Sequence, residues 1–362
     1  MSDRGARLER LLARHRDARL AAPGILLRRD QLLVADRDLP RVEELLRRWW
    51  DSREEGPGVT RLRLAPAAGV DVCEVSLLAR AQGLAVGPNH LVRGQPMWWA
   101  GPADRPRPAR ALPLPACGPV RRDATVAVLD TGLDPHPWYD AADWFAGQRG
   151  LVAEALDADL DHALDAQAGH GTFVAGVVLQ HAPSARLLAR RVIGGDGVGD
   201  ELTLIRALRG LGRVDVVNVS LGCHTFDDRP SPLMEQAVAS LGPDTVVVAC
   251  AGNAASDRPF WPAALPGVIG VAALDGSERA WFSNHGPWVD ACAPGVAVHS
   301  SFVRFGKFDG YALWSGTSFA APAVAGAVAA RVTAGSDGPA AAAAVLASGP
   351  ARHGLGTIIA IR

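Results

Sequence analysis

The sequence predicts an α/β protein, built on a doubly wound and mostly parallel sheet, preceded by a small α+β domain. From Val120 onward, short Val-rich runs alternate with helical runs, which is the texture of a parallel sheet covered on both faces. Before that, residues 25–92 interleave two helical segments with alternating strands. Between the two textures, residues 96–119 are rich in Pro and Arg and read as an extended linker. At 362 residues the chain also exceeds one comfortable core. The expected division is therefore 1–95, 96–119 and 120–362.

Taken in order, residues 1–20 read as a basic amphipathic helix. Segments 25–27 and 32–34 read as strands, 41–50 as a helix with Val42, Leu45, Leu46 and Trp49 inward, and 59–64 as a strand. Residues 72–81 are again helical and 84–92 extended, which together suggest a ferredoxin-like α+β layer. Beyond the linker, strands are expected at 125–129, 187–193, 214–220, 245–249 and 268–274. Helices are expected at 170–179, 201–211, 232–241 and 318–331. In such a sheet the working groups sit at the carboxyl ends of the strands, where Asp130 and Asn253 fall.

Composition narrows the class. Apolar residues at 48% and charged residues at 21% describe a soluble globular chain. Residues 1–118 carry 20 Arg against 14 acidic residues, and the remainder 17 basic against 24 acidic, so the two parts attract each other. Lys307 is the only Lys, and no nucleic-acid-binding signature accompanies the arginines, so no nucleic-acid partner is expected. The five cysteines are scattered without a CxxC pair, which argues against a disulfide framework or zinc site and for a reducing compartment. The N-terminal stretch lacks the apolar core of a secretory signal, and no apolar run reaches 18 residues. A cytoplasmic location without membrane contact is the expectation.

The chemistry concentrates in four Gly-flanked places. Gly316-Thr317-Ser318 stands at the start of a helix, where a hydroxyl sits in the positive field of the helix N-terminus. Taken alone, Ser318 is equally an N-cap residue. Upstream lie Asp130-Thr131-Gly132, Gly169-His170-Gly171-Thr172 and Ala251-Gly252-Asn253. A Ser hydroxyl needs a base, and the base needs a carboxylate to fix its tautomer, roles open to His170 and Asp130. Attack on an amide creates an oxyanion, for which the Asn253 side chain and the Ser318 amide are donors. Other readings exist for each. Asp130-Thr131-Gly132 is also an aspartic-protease triplet, although no second copy occurs in the chain. His170, with His162 and His181 near in sequence, also suits a core or metal-binding role, but no i, i+4 pair is present.

In the order Asp, His, Asn, Ser, these motifs resemble the subtilisin-like serine peptidases (subtilases) over residues 120–362. The resemblance implies a subtilisin-like fold and an endopeptidase acting through Asp130, His170, Ser318 and Asn253 without a cofactor. It also implies that Ser220, Leu221 and Gly222 on one side and Gly197, Val198 and Gly199 on the other hold an extended peptide between them. The segment 194–199 admits a nucleotide-loop reading too, but lacks Gly-Lys-Ser/Thr. Ala251 and Gly252 would line the pocket for the residue before the scissile bond, with Phe260 at its floor where the family has a small residue. Phe173 and Ala323 replace family histidines outside the triad. Between Gly176 and Pro183 the family's long calcium loop is missing, so no metal is expected. Residues 1–95 stand where subtilases carry an intramolecular chaperone, and docking on the catalytic part is expected. The reading is a serine endopeptidase that processes an intracellular protein or precursor peptide; the alternative is a catalytically silent peptide-binding module of the same fold.

Overall fold

In the computed structural model, which describes residues 3–65, 69–94, 105–118 and 120–360, the chain opens with α1 (Asp3–Arg14). It continues through β1 (Ala18–Ala22), β2 (Ile25–Ala35), α2 (Leu39–Leu46), β3 (Trp50–Glu54), β4 (Val59–Leu64), α3 (Val72–Ala81) and β5 (Val86–Arg93). The strands lie in the order β3-β4-β2-β5, all antiparallel, with β1 folded back on β2. From β2 onward this is the βαββαβ arrangement. Helix α3 starts at Asp71, whose carboxylate accepts from the amides of Cys73 and Glu74. Val72, Val75 and Ala79 on α3 and Val42 and Leu46 on α2 pack over Leu32, Val34 and Leu62 of the sheet.

Three sequence expectations need correction here. Segments 25–27 and 32–34 are one strand, with an irregularity against β5 between Leu27 and Leu32. The basic N-terminal helix stops at Arg14, and 18–22 is strand. Leu45 and Trp49 are 47% and 42% exposed: Leu45 lies within α2, which presents only Val42 and Leu46 to the sheet, and Trp49 lies beyond the helix end.

The segment expected to be linker contributes β6 (Arg107–Pro108), and residues 95–104 and 119 of it lie outside the described residues. Then come β7 (Thr125–Asp130), the short α4 (Asp143–Ala146) and α5 (Arg149–Val152), α6 (His170–His181), β8 (Arg186–Arg191), β9 (Val198–Asp200) and α7 (Glu201–Arg209). Next are β10 (Val216–Val219), α8 (Pro232–Ala239), β11 (Val246–Cys250), β12 (Val268–Asp275), β13 (Glu278–Arg279) and β14 (Ala291–Pro294). The chain closes with β15 (Val298–Phe305), β16 (Phe308–Trp314), α9 (Thr317–Thr333), α10 (Gly338–Leu346), β17 (Ala351–Arg352) and β18 (Gly356–Ile358).

Strands β8-β7-β10-β11-β12-β14-β18 form a parallel sheet in that order. Period-2 alternation sends Val126, Val216 and Val248 to the layer of α6, α9 and α10. Their neighbours Ala127, Val217 and Val247 go to the layer of α7 and α8. The chain moves one way from β7 to β8 and the other way from β10 onward, so the topological switch lies between β7 and β10. The crevice at a switch point is where such sheets bind ligands.

Two seams tie the N-terminal part to this sheet's periphery. Strand β5 pairs antiparallel with β9, Val92 opposite Gly199. Strand β6 pairs with β16, so the 107–108 stretch is not a free tether. No described helix is long and apolar enough to cross a membrane.

Candidate active site

Asp130 is the last residue of β7 and His170 the first of α6, and both side chains are 1% exposed. The imidazole Nδ1–H donates to Asp130 Oδ1 at 2.7 Å, and the Thr131 amide donates to the same oxygen at 2.8 Å. With its proton on Nδ1, the ring keeps a lone pair on Nε2, the form a general base requires. The approach of α6 to the β7 loop is close: a Cβ on residue 171 would lie 2.1 Å from the Gly132 carbonyl oxygen, so only glycine fits. Trp314 meets the imidazole edge-on at 5.3 Å and Phe319 lies 5.2 Å away, which seats the ring against the residue following Ser318.

Ser318 occupies the first turn of α9, so its amide has no intrahelical acceptor. Its carbonyl is also released from the helix: Pro322, four residues on, has no N–H to give it. Ser220 Oγ donates to that carbonyl at 2.8 Å, while Ser318 Oγ donates to the Ser220 carbonyl at 3.1 Å. The reciprocal pair pins the start of α9 against the end of β10. Gly316, the N-cap residue, has no side chain, and Asn253 does its work from across the site. Asn253 Oδ1 accepts from both the amide and the hydroxyl of Thr317, each at 2.8 Å. That fixes the amide's orientation and leaves Nδ2 as the end available beside the neighbouring cavity.

That cavity is lined by Gly94, Gly222, His224, Cys250, Asn253 and Phe260, among others. Phe260 is wedged between its walls: a Cβ on Gly222 would lie 2.6 Å from the ring and one on Gly252 3.1 Å from it. Burial pushes the Cys250 thiol up to about 12, so it offers no competing thiolate nucleophile. Residues of this same chain lie between the two segments expected to flank a peptide: β9 pairs with β5 on one side, and Gly222, in no strand, makes an isolated bridge to Arg93 on the other. Arg93 N–H donates to the Gly222 carbonyl at 2.9 Å and the Gly222 amide to the Arg93 carbonyl at 3.1 Å. On the other side the Gly94 amide donates to the Gly197 carbonyl at 3.2 Å. Residues 91–94 thus run between β9 and Gly222.

The structure brings together Asp130 with His170, Asn253 with the start of α9, and Gly197, Val198 and Gly199 opposite Gly222. It brings Ser220 against Ser318; Leu221 and Ala251 are fully buried in the adjoining core. Residues without a role in the sequence reading also work here. Thr317 bonds Asn253, Pro322 frees the Ser318 carbonyl, and Glu154 accepts from the first turn of α6. Glu154 carried a signal, as the one charge in the apolar run Leu151-Val152-Ala153-Glu154-Ala155-Leu156. The carboxylates of Asp157, Asp159 and Asp161 lie within 4.8 Å of one another on an exposed loop. Their bonds are to local amides and to Arg14.

An imidazole bonded to a buried carboxylate and packed against Phe319, the residue that follows a helix-borne serine, stands beside a groove occupied by an extended segment of the chain, the layout of a serine peptidase scaffold. The model of the subtilase family matches residues 121–343, and the chain belongs to that family. It is 37% identical over 217 residues to the thermophilic serine proteinase of Bacillus sp. (strain AK1), covering 56% of this chain and 50% of that one. Identity is likewise 37% over 217 residues to subtilisin BL of Lederbergia lenta, covering 56% and 74%. The chain therefore spans half the length of the first of these relatives. Among solved structures it is similar to the prenylagaramide maturation protease PagA, with TM-score 0.52 and 26% identity over 66% of this chain and 91% of that one. A lanthipeptide protease gives TM-score 0.55 at 21% identity over 65% and 85%, a likeness of fold.

Proposed function

We propose that this chain hydrolyses peptide bonds through Ser318, His170 and Asp130. The observation that carries the reading is the buried 2.7 Å bond from His170 Nδ1 to Asp130, which leaves Nε2 basic. Rotation of the Ser318 hydroxyl away from the Ser220 carbonyl delivers its proton to Nε2 as Oγ attacks the substrate carbonyl carbon. The oxyanion is met by Asn253 Nδ2 and the Ser318 amide. Collapse expels the amine, which takes the proton from the imidazolium, and leaves an acyl-enzyme. Water, deprotonated by His170, then releases the acid and restores Ser318. No cofactor enters any step.

Substrate lies where residues 91–94 lie, extended between 197–200 and 222. Phe260 fills the space beneath the residue before the scissile bond, so that residue is small. In the intact chain residues 91–94 compete with substrate, and the N-terminal part acts as a docked restraint. The likeness to a maturation protease supports processing of a precursor peptide. The unpaired cysteines suit a cytoplasmic setting. Fluorophosphonate labelling tests the activity: adduct on Ser318 together with hydrolysis of short peptides supports it. A chain with an opened groove that neither labels nor hydrolyses would be the silent peptide-binding module instead.

A further inference from the structure

We propose that Glu154 is a positioning residue that locks the first turn of α6, and with it His170, onto the loop following Asp130. Helix α6 begins at Gly169, which adopts φ +83° and has no side chain with which to cap its own helix. A larger residue is barred there, since a Cβ would lie 2.5 Å from the Phe302 ring. Glu154 supplies the cap from a different segment. Its Oε2 accepts from the Gly169 amide at 2.6 Å and its Oε1 from the Thr172 amide at 2.9 Å. These two amides bracket His170.

The same carboxylate reaches the other half of the catalytic pair. Thr131 Oγ1 donates to Oε2 at 2.7 Å, and the Thr131 amide donates to Asp130. Thr172 Oγ1 donates to Oε1 at 2.6 Å. Each hydroxyl is also held from its other side. Thr131 Oγ1 already accepts from the Gly171 amide at 2.8 Å, and Thr172 Oγ1 accepts from the Asp134 amide at 2.9 Å. Four donors converge on two oxygens, and because each oxygen accepts a backbone N–H, neither position suits an amide NH2. Burial raises the Glu154 carboxyl above its ordinary value, and those four bonds pull against it. A glutamine of identical shape would aim an NH2 group at the Gly169 N–H, leaving donors facing each other in a partly buried site.

The proposal rests on Asp130 and His170 being the catalytic pair. The test is made on the full chain with Glu154→Gln, Glu154→Asp and Thr172→Val, beside His170→Ala. One readout is the far-downfield proton signal of His170 Nδ1–H, assigned by its loss in His170→Ala, which needs no access to the groove. The other is kcat and KM for a short peptide. Glu154→Gln should erase or displace the signal and lower kcat by roughly 10²-fold with KM unchanged, the scale of a small misplacement of a catalytic group. Glu154→Asp, which keeps four acceptor positions despite its shorter reach, should retain more of both than the isosteric amide. A Glu154→Gln chain with the wild-type signal and kcat overturns the proposal, as does loss of kcat only in proportion to loss of folded protein. If Glu154→Gln does not fold, Thr172→Val decides by the same two readouts, because it preserves shape and leaves the carboxylate in place while removing one of its four donors, together with the acceptor of the Asp134 amide. An active His170→Ala chain would sink the catalytic pair itself, a result separate from any outcome at Glu154.

Discussion

At the scale of single residues, the proposed chemistry depends on side chains being denied alternatives. Asn253 is useful because Thr317 occupies its oxygen twice, so the amide cannot flip. Ser318→Ala and His170→Ala should each abolish hydrolysis in chains that remain folded. Asn253→Ala should lower kcat by roughly 10²–10³, a range carried over from the loss of one oxyanion donor in subtilisin itself. Near-native turnover in Asn253→Ala would remove it from the oxyanion role. In the proposed reading Phe260 acts by volume alone. Since the ring occupies the space between Gly222 and Gly252, a peptide library should show Gly, Ala or Ser before the cleaved bond. Phe260→Gly should extend acceptance to Leu and Phe, and an unaltered profile would place the pocket floor elsewhere.

At the scale of elements, helix starts do the positioning. Both α6 and α9 begin at a glycine N-cap, and in each the missing cap comes from another segment that belongs to the site. The loop after β7 is tied in turn to the β15–β16 hairpin by His136, whose Nε2–H donates to the Gly310 carbonyl at 3.0 Å. Its Nδ1 accepts the Trp138 amide at 3.3 Å, so the ring is held neutral, and burial takes it down to about 4. Unfolded, the same histidine titrates near its ordinary value of 6.5. Between those limits the unfolded chain binds the extra proton, so stability rises with pH. His181 is also lowered to about 4 by burial and adds to the slope. Melting temperature should fall from about pH 7 to about pH 5, and His136→Asn should flatten part of that fall. An identical slope in the variant would show that His136 does not contribute.

Much of this level was legible in the sequence. The alternating strands and helices from 125 to 331 announced themselves through Val-rich runs and Gly punctuation, and α3 runs from 72 to 81 as its pattern requires. What was not legible depends on partners distant in the chain. Strand β9 is three residues long and exists through pairing with β5, and β6 through pairing with β16. Trp49 followed helical periodicity, but the helix ended before it, and Leu45 lies on α2 beside the narrow Val42–Leu46 stripe that meets the sheet. Glu154 has no local motif, since its four donors come from residues 15 to 23 positions away.

At the scale of the whole molecule, the opposite charges of the two parts are realised as cross-pairs. Arg28 meets Asp200 at 3.3 Å and Arg80 meets Asp227 at 3.1 Å, while Glu54 meets Arg206 with the signs exchanged. Partly exposed pairs of this kind contribute at most about 1 kcal/mol each and mainly set orientation. The apolar contacts carry more. Leu33, Val59 and Val92 join the cluster of Leu202, Ile205 and Leu208, and Val92 is fully buried. If residues 91–94 restrain the groove as proposed, Val92 is the point where docking of the N-terminal sheet and occupation of the groove are the same event. An aspartate there would bury a carboxylate in an apolar cluster, at a cost of several kcal/mol unless the strand leaves. Val92→Asp in the full chain should therefore raise short-peptide hydrolysis and fluorophosphonate labelling by about tenfold or more, one decade per about 1.4 kcal/mol of docking lost. If residues 91–94 are instead a permanent strand that serves only to brace β9, the same substitution will lower activity together with stability. The direction of the change separates restraint from support.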